Sequence, residues 1–494
     1  MPFRPNDIRR VGEILAFAAR TEIMPRFRRL TATQVREKSS PLDLVTEADE
    51  VAEAVITTGL KVAFPGAIVI GEEGTHKDPA LLHLIADAEL AFIVDPIDGT
   101  KNFTANLPLF SPELYGIAVP PDRVPAPDAA ALGARLFRDK RLSADNTVSC
   151  DTCHDVDKGF TDHRPDSATS GGVGGAHGAR NAPTVLNALF QASQFWDGRA
   201  ATLEDQAKLP ILNPVEMGQK TPEDVVAKLR TLPEYAQDFQ RIYGHPTTYD
   251  DLASAIAAFE RTQYSGNSPF DRFMAGNASA IDDNAKRGWA LFNGKARCSD
   301  CHAFNSVSPL FSDQKFHNIG IAAHKQNFTD LARKAIGIAQ SADTKQIDEL
   351  ALQTDYSELG RFLVTKKDDD IGAFKTETLR NIGITGPYMH DGSLTTLWDV
   401  IDHYNKGGVP NPYLDGGMQR LGLSENEIDD LVAFLFTLTD DRFGAFGKEE
   451  MARQTALKNT RPQRETDVAE GRKGDLGDLA PNPDLKNPAL LGAF

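Results

Sequence analysis

Along residues 1–110 the spacing of apolar positions changes several times, which predicts helix alternating with strand. Val11 to Arg29 sets apolar residues at helical spacing with arginines on the other face, an amphipathic helix. Ala67-Ile68-Val69-Ile70 and Ala91-Phe92-Ile93-Val94 are short apolar runs, each followed directly by acidic residues, and predict two buried strands. From about Ser111 the pattern changes. Pro112, Pro120, Pro121, Pro125 and Pro127 mark a linker over 111–131, beyond which strand signals fade into short helices and long loops. After about Phe446 the chain turns polar and Pro-containing, which predicts a loosely ordered tail over 446–494. No internal repeat is visible beyond two cysteine motifs.

At 494 residues, 41% of them hydrophobic and 25% charged, the chain is expected to fold as more than one globular domain. A net charge of −17 argues against nucleic acid as a partner and would suit a basic protein. No apolar run has the length of a membrane span. Near the N-terminus the longest one, Ile14 to Ala19, is ended by Arg20 and is too short for the apolar part of a signal peptide.

All four cysteines fall in two motifs, Cys150-x-x-Cys153-His154 and Cys298-x-x-Cys301-His302. Two cysteines at this spacing could be a redox pair or half a zinc site. Neither requires a histidine immediately afterwards, twice. Covalent haem does, because the thiols add to its two vinyl groups and the adjacent histidine is carried under the iron.

The N-terminal segment contains Lys38-Ser39-Ser40-Pro41-Leu42-Asp43-Leu44-Val45-Thr46-Glu47-Ala48-Asp49, then Gly71-Glu72-Glu73, then Asp95-Pro96-Ile97-Asp98-Gly99-Thr100. It resembles the inositol-monophosphatase family of magnesium-dependent sugar phosphatases. The resemblance implies a magnesium site made by Glu72, Asp95, Asp98 and the Ile97 carbonyl, with Thr100 orienting water. It stops near Phe110. The family's later Trp-Asp motif has no counterpart, so the site is expected to be vestigial, holding magnesium only if this fragment is functional.

From about Leu132 to Phe443 the landmarks are Leu132-Gly133-Ala134-Arg135-Leu136-Phe137, Arg180-Asn181-Ala182-Pro183-Thr184, Phe195-Trp196-Asp197-Gly198-Arg199 and Asn213-Pro214-Val215-Glu216-Met217. Thr378-Leu379-Arg380-Asn381 and Pro387-Tyr388-Met389-His390-Asp391-Gly392-Ser393 follow. In this order they resemble bacterial di-haem cytochrome c peroxidases and their MauG-type relatives. The fold implied is multidomain, with two mainly-α cytochrome c-like haem domains over 132–283 and 284–445. An α+β fragment of a sugar-phosphatase fold precedes them over 1–110.

The resemblance implies two covalently bound haem c groups. His154 and His302 would be the iron ligands, the first haem would meet peroxide, and the second would receive electrons. Trp196 would relay between them, while Glu216, with Gln206 beside it, would move a proton between the peroxide oxygens. A calcium ion is implied at Asn181 and the carbonyls of Thr385 and Pro387. Where many relatives place a histidine that caps the first haem, this chain has Val173, which predicts an open site, with His177 and His163 as other candidate ligands. At the second haem's distal position the alignment gives Tyr404, with Met389 and His403 as competitors.

The expected activity is reduction of hydrogen peroxide with electrons from a small redox protein such as a cytochrome c or a cupredoxin. The alternatives are MauG-type oxidation of a protein side chain, a di-haem electron carrier, and a magnesium phosphatase. A periplasmic location is expected for the haem region, although no signal peptide is recognisable.

Overall fold

The computed structural model describes residues 5–23, 26, 35–37, 44–88, 90–95, 109–111, 114–119, 124–164, 171–305, 309–325, 327–341, 346 and 355–459. They divide into two compact units, 1–110 with 305–309, and 111–304 with 310–494.

In the smaller unit, helix α1 (Pro5–Ala18) packs on α2 (Glu47–Ala63), with Ala18, Ile56 and Leu60 in a small core. Thr46 caps α2 in a reciprocal box with Asp49. Strands β1 (Ile68–Gly71) and β2 (Ala91–Val94) pair in parallel. The expectation of buried strands holds in part: Ile70 and Val94 are 2% and 7% exposed, while Ile93, which pairs with Ile70, is 77% exposed.

The larger unit is helical and built twice on one plan. Helix α3 (Pro127–Arg138) crosses α5 (Tyr249–Glu260) at Gly133, and α6 (Asp283–Asn293) crosses α8 (Glu425–Phe436) at Gly288. A Cβ at Gly133 would stand 1.8 Å from the Ala255 carbonyl oxygen and 2.9 Å from Phe259 Cβ. One at Gly288 would stand 2.0 Å from the Asp430 carbonyl oxygen and 2.8 Å from Phe434 Cβ. Ala255 and Phe259 in the first half therefore correspond to Asp430 and Phe434 in the second.

The plan recurs at the next element. Asp197-Gly198 leads to α4 (Leu203–Leu212), capped by Thr202, and Asp391-Gly392 leads to α7 (Leu397–Lys406), capped by Thr396. Phe195 and Met389 both adopt positive φ, 68° and 73°, and Gly198 and Gly392 both sit at 68°. Bridges Gln194–Ala200 and Tyr388–Leu394 close the two turns alike. This repeat is hidden in the sequence because few residues are shared and the spacers differ. Cys150 follows Gly133 by seventeen positions, but Cys298 follows Gly288 by ten.

Two boundaries move. The linker ends at Ala126, since Pro127 opens α3, a position where its fixed φ suits a helix start. The tail does not begin at 446, because α9 runs from Gly444 to Asn459. Its sequence lacks an apolar stripe since the buried contact is polar: Gln454, fully buried, accepts from Leu397 N and donates to Tyr388 Oη, both at 2.9 Å.

Candidate functional site

Cys150 opens a single helical turn that ends at Cys153, and His154 follows, its amide donating to the Cys150 carbonyl at 2.9 Å. His154 Nδ1 lies 3.1 Å from the Phe160 carbonyl oxygen, and His302 Nδ1 lies 2.7 Å from that of Phe311. A carbonyl can only accept, so each Nδ1 carries the proton and each Nε2 keeps the lone pair. Burial holds both imidazoles below the usual range, in the neutral form that ligates iron. Phe160 and Phe311, which present these carbonyls, both take positive φ, 59° and 56°. The two halves thus position their histidines by the same backbone device.

Cys298, Cys301 and His302 line a cavity of about 250 Å³. Its walls are largely apolar, including Phe292, Leu379, Val400 and Leu435. Burial pushes the Cys298 thiol up to about 12, as in a site made for an apolar group rather than for a thiolate. This donor set and lining fit a haem attached through both thiols.

The same cavity is lined by Tyr404, Met389, Trp196, Asn181, Thr385 and Pro387. Burial pushes the Tyr404 phenol up, so an anionic oxygen there needs the charge of a metal ion to form. His403 turns elsewhere, with Nε2 2.8 Å from the Ile319 carbonyl. Met418 and His317 also line the cavity and were not foreseen. Asp313 at 3.0 Å, then the Cys301 thiol and Asp415 at 2.7 Å, push His317 up to about 11.

Trp196 is fixed by its indole N–H, which donates to the Asn181 carbonyl at 2.9 Å, and by its own carbonyl, which accepts from Lys375 N at 2.8 Å. Its counterpart in the second half is His390, whose ring stacks on Phe374 at 3.6 Å and meets Glu358 at 2.7 Å. Asn181 Nδ2 lies 2.6 Å from the Pro387 carbonyl. The same nitrogen lies 3.3 Å from the Met389 carbonyl.

Gln206 lies on α4, and Glu216 sits in the turn after it. Glu216 accepts from Asn213 Nδ2 at 2.7 Å, and burial raises its pKa despite the Arg199 charge. The glycine-rich loop at 171–177 closes on this turn, with Val173 N donating to the Glu216 carbonyl at 2.8 Å. A Cβ at Gly172 would stand 2.2 Å from the Val215 carbonyl oxygen, so this approach requires glycine. Val173 therefore lies beside Glu216. His177 is exposed and bridges Gly171, and His163 Nε2 bonds Thr161 Oγ1 at 2.9 Å and the Lys158 carbonyl at 3.0 Å.

In the smaller unit the register Gly71–Val94 puts Glu72 and Asp95 side by side at the carboxyl ends of β1 and β2. Ile97 and Asp98 lie outside the described residues.

The family model described as di-haem cytochrome c peroxidase matches residues 127–279, and that of the inositol monophosphatase family matches residues 5–116. The methylamine utilization protein MauG of Methylorubrum extorquens is 40% identical over 314 residues, 63% of this chain and 78% of that protein. The cytochrome-c peroxidase IdrP1 of Denitromonas iodatirespirans is 36% identical over 342 residues, 68% of this chain and 87% of its own. Among solved structures, a MauG-like protein associated with microbial copper homeostasis is 32% identical with a TM-score of 0.53, covering 66% of this chain and 95% of that one. The diheme peroxidase BthA of Burkholderia thailandensis, at 24% identity and a TM-score of 0.52, shares the fold over 65% of this chain and 87% of its own. With two haem-attachment motifs in place and relatives matched over most of their length, the chain belongs to the di-haem cytochrome c peroxidase and MauG family of oxidoreductases.

Proposed function

We propose that this protein reduces hydrogen peroxide at its first haem, with electrons that arrive through the second. One observation carries the assignment of roles. Counting from the matched caps Thr202 and Thr396, Tyr404 of α7 corresponds to Pro210 of α4. The second site has a phenol oxygen where the first has a proline ring with no donor atom. Val173 beside Glu216 adds a second side chain without a lone pair. A site without a sixth ligand can admit peroxide, and a site with one is suited to passing electrons.

Haem held by Cys150, Cys153 and His154 would supply the iron that exchanges electrons with peroxide. Glu216 takes a proton from one peroxide oxygen and returns it to the other. Asn213 holds the carboxylate for this transfer, and Gln206 offers its amide from α4. Two electrons and two further protons complete the conversion of each peroxide to two waters. Trp196, held between Asn181 and Lys375 and exposed to the second cavity, is the path between the sites. Asn181, Thr385 and Pro387 hold a calcium ion that ties the halves together. The donor is a small redox protein, a cytochrome c or a cupredoxin, and the setting is periplasmic. Among the described residues no helix is long and apolar enough to cross a membrane.

Tyr404 in the second cavity favours a MauG-type variant of the same chemistry, in which a protein side chain is the reductant. Among the described residues the smaller unit brings Glu72 and Asp95 to neighbouring strand ends, and because the family's later Trp-Asp motif has no counterpart we infer that it lacks phosphatase activity. The resting spectrum tests the division of roles. The fully oxidised protein should show one high-spin haem and react with peroxide before any donor is added. Two low-spin haems would mean an electron carrier. A low-spin first haem that turns high-spin in His177→Ala would show a cap supplied by the neighbouring histidine.

A further inference from the structure

Glu260 ends α5, is 5% exposed, and leaves its Oε2 without a hydrogen-bond partner among the described residues. Buried polar atoms are rarely left so, and an acid is among the costliest to leave. The duplicated plan locates this carboxyl. Since Ala255 and Phe259 correspond to Asp430 and Phe434, the next residue, Glu260, corresponds to Leu435. Leu435 lines the cavity of Cys298, Cys301 and His302. Glu260 therefore stands at the first haem site where the second has a leucine. The Cys150 thiol responds to it, raised by burial and then by the Glu260 charge.

We propose that Glu260 is a haem-edge carboxyl that makes the two haem sites electrostatically unequal, releasing a proton to water when the first haem loses an electron and recovering it when the electron returns. The idea rests on covalent attachment at Cys150, Cys153 and His154. Glu260 is a positioning residue here, acting through charge on the haem. The charged groups around it are few. Arg261 draws its pKa down and Glu204 of α4 raises it, but these two pair with each other at 2.6 and 2.9 Å. From α3, Arg138 lies over the Phe259 ring at 5.6 Å, and Asp151 flanks Cys150. Burial therefore dominates and pushes Glu260 up to about 8, where neutral and charged forms exchange near physiological pH.

The test is a redox titration of the intact di-haem protein between about pH 6 and pH 10, with haem content checked by mass. In the wild type the first haem should become harder to reduce as pH rises through the Glu260 range. The one-electron equilibrium should change about tenfold per pH unit, about 59 mV. Glu260→Gln keeps the size and should abolish that slope while leaving the second haem unchanged. Glu260→Leu, which copies the second site, should do the same, and Leu435→Glu should confer a slope on the second haem. A first-haem slope that survives in both Glu260 variants, with two haems bound, overturns this proposal alone. Wild-type protein lacking haem at Cys150 and Cys153 would overturn the attachment reading as well.

Discussion

Glu216→Gln separates proton transfer from architecture, because the amide keeps nearly the same shape. In the folded protein the Glu216 carboxylate accepts from Asn213 Nδ2 at 2.7 Å, and its backbone carbonyl accepts from Val173 N. A glutamine carbonyl can still accept from Asn213, so the turn and the loop resting on it should persist. What changes is a charge-assisted bond, about 1.5–3 kcal/mol, for a neutral one of about 0.5–1.5 kcal/mol. That loss is offset because burial already disfavours the charged form, so stability should move by about 1 kcal/mol or less. The rate should respond far more. An amide cannot take and return a proton, and losing such assistance costs about a hundredfold or more, or about 2.7 kcal/mol of barrier. Peroxide consumption by the di-haem protein, followed with a reduced donor in excess, is the assay. The pH profile has a defined sign: the proton-accepting form of Glu216 is the carboxylate, so activity should fall as pH drops through its raised pKa. An unchanged rate in Glu216→Gln, with two haems bound and normal melting, would refute the assignment.

Replacing Cys150 and Cys153 with Ala should remove one haem from the intact mass and leave the second, since each half carries its own attachment set; a zinc adduct without haem would sink the whole reading. Gly133→Ala should destabilise by about 1–3 kcal/mol in chemical denaturation, because the new Cβ meets backbone at 1.8 Å and α3 must move off α5. Gly288→Ala should cost a similar amount through the matching crossing, and a neutral effect of both would contradict the packing described. Sugar phosphates should release no phosphate in the presence of magnesium, and steady turnover would show that the smaller unit completes its site.

The attachment motifs were legible because covalent haem needs contiguous residues, so Cys150 to His154 and Cys298 to His302 carry their meaning in a few letters. Trp196 and Asn181 could be picked out only through resemblance, since each bonds a partner far along the chain, and Glu216, whose carboxylate meets only nearby Asn213 among the described residues, reads as an ordinary turn acid. Asn181, for example, reaches the carbonyl of Pro387, and no local pattern announces that pairing. His317 and Met418 escaped notice because loops bring them to the second cavity. Helix α9 escaped for a different reason: a helix held by Gln454 rather than by an apolar stripe reads as a polar tail.

The duplication explains how one frame can hold two unlike haem sites. Gly133 and Gly288 set the same helix crossing, and Phe160 and Phe311 orient the same imidazole nitrogen. Whatever differs between the sites must then come from residues exchanged at matching positions. Three exchanges stand out, and each has a direct chemical consequence. Pro210 for Tyr404 leaves the first site without the phenol oxygen that the second site has. Trp196 for His390 puts an oxidisable indole where the other half has an imidazole committed to Glu358. Glu260 for Leu435 adds a buried acid. None of the three lies at the helix crossings that define the frame, so each could change without remodelling it. The asymmetry of function then resides in side chains, and exchanging Pro210 and Tyr404 should alter which haem accepts a sixth ligand before it alters the fold.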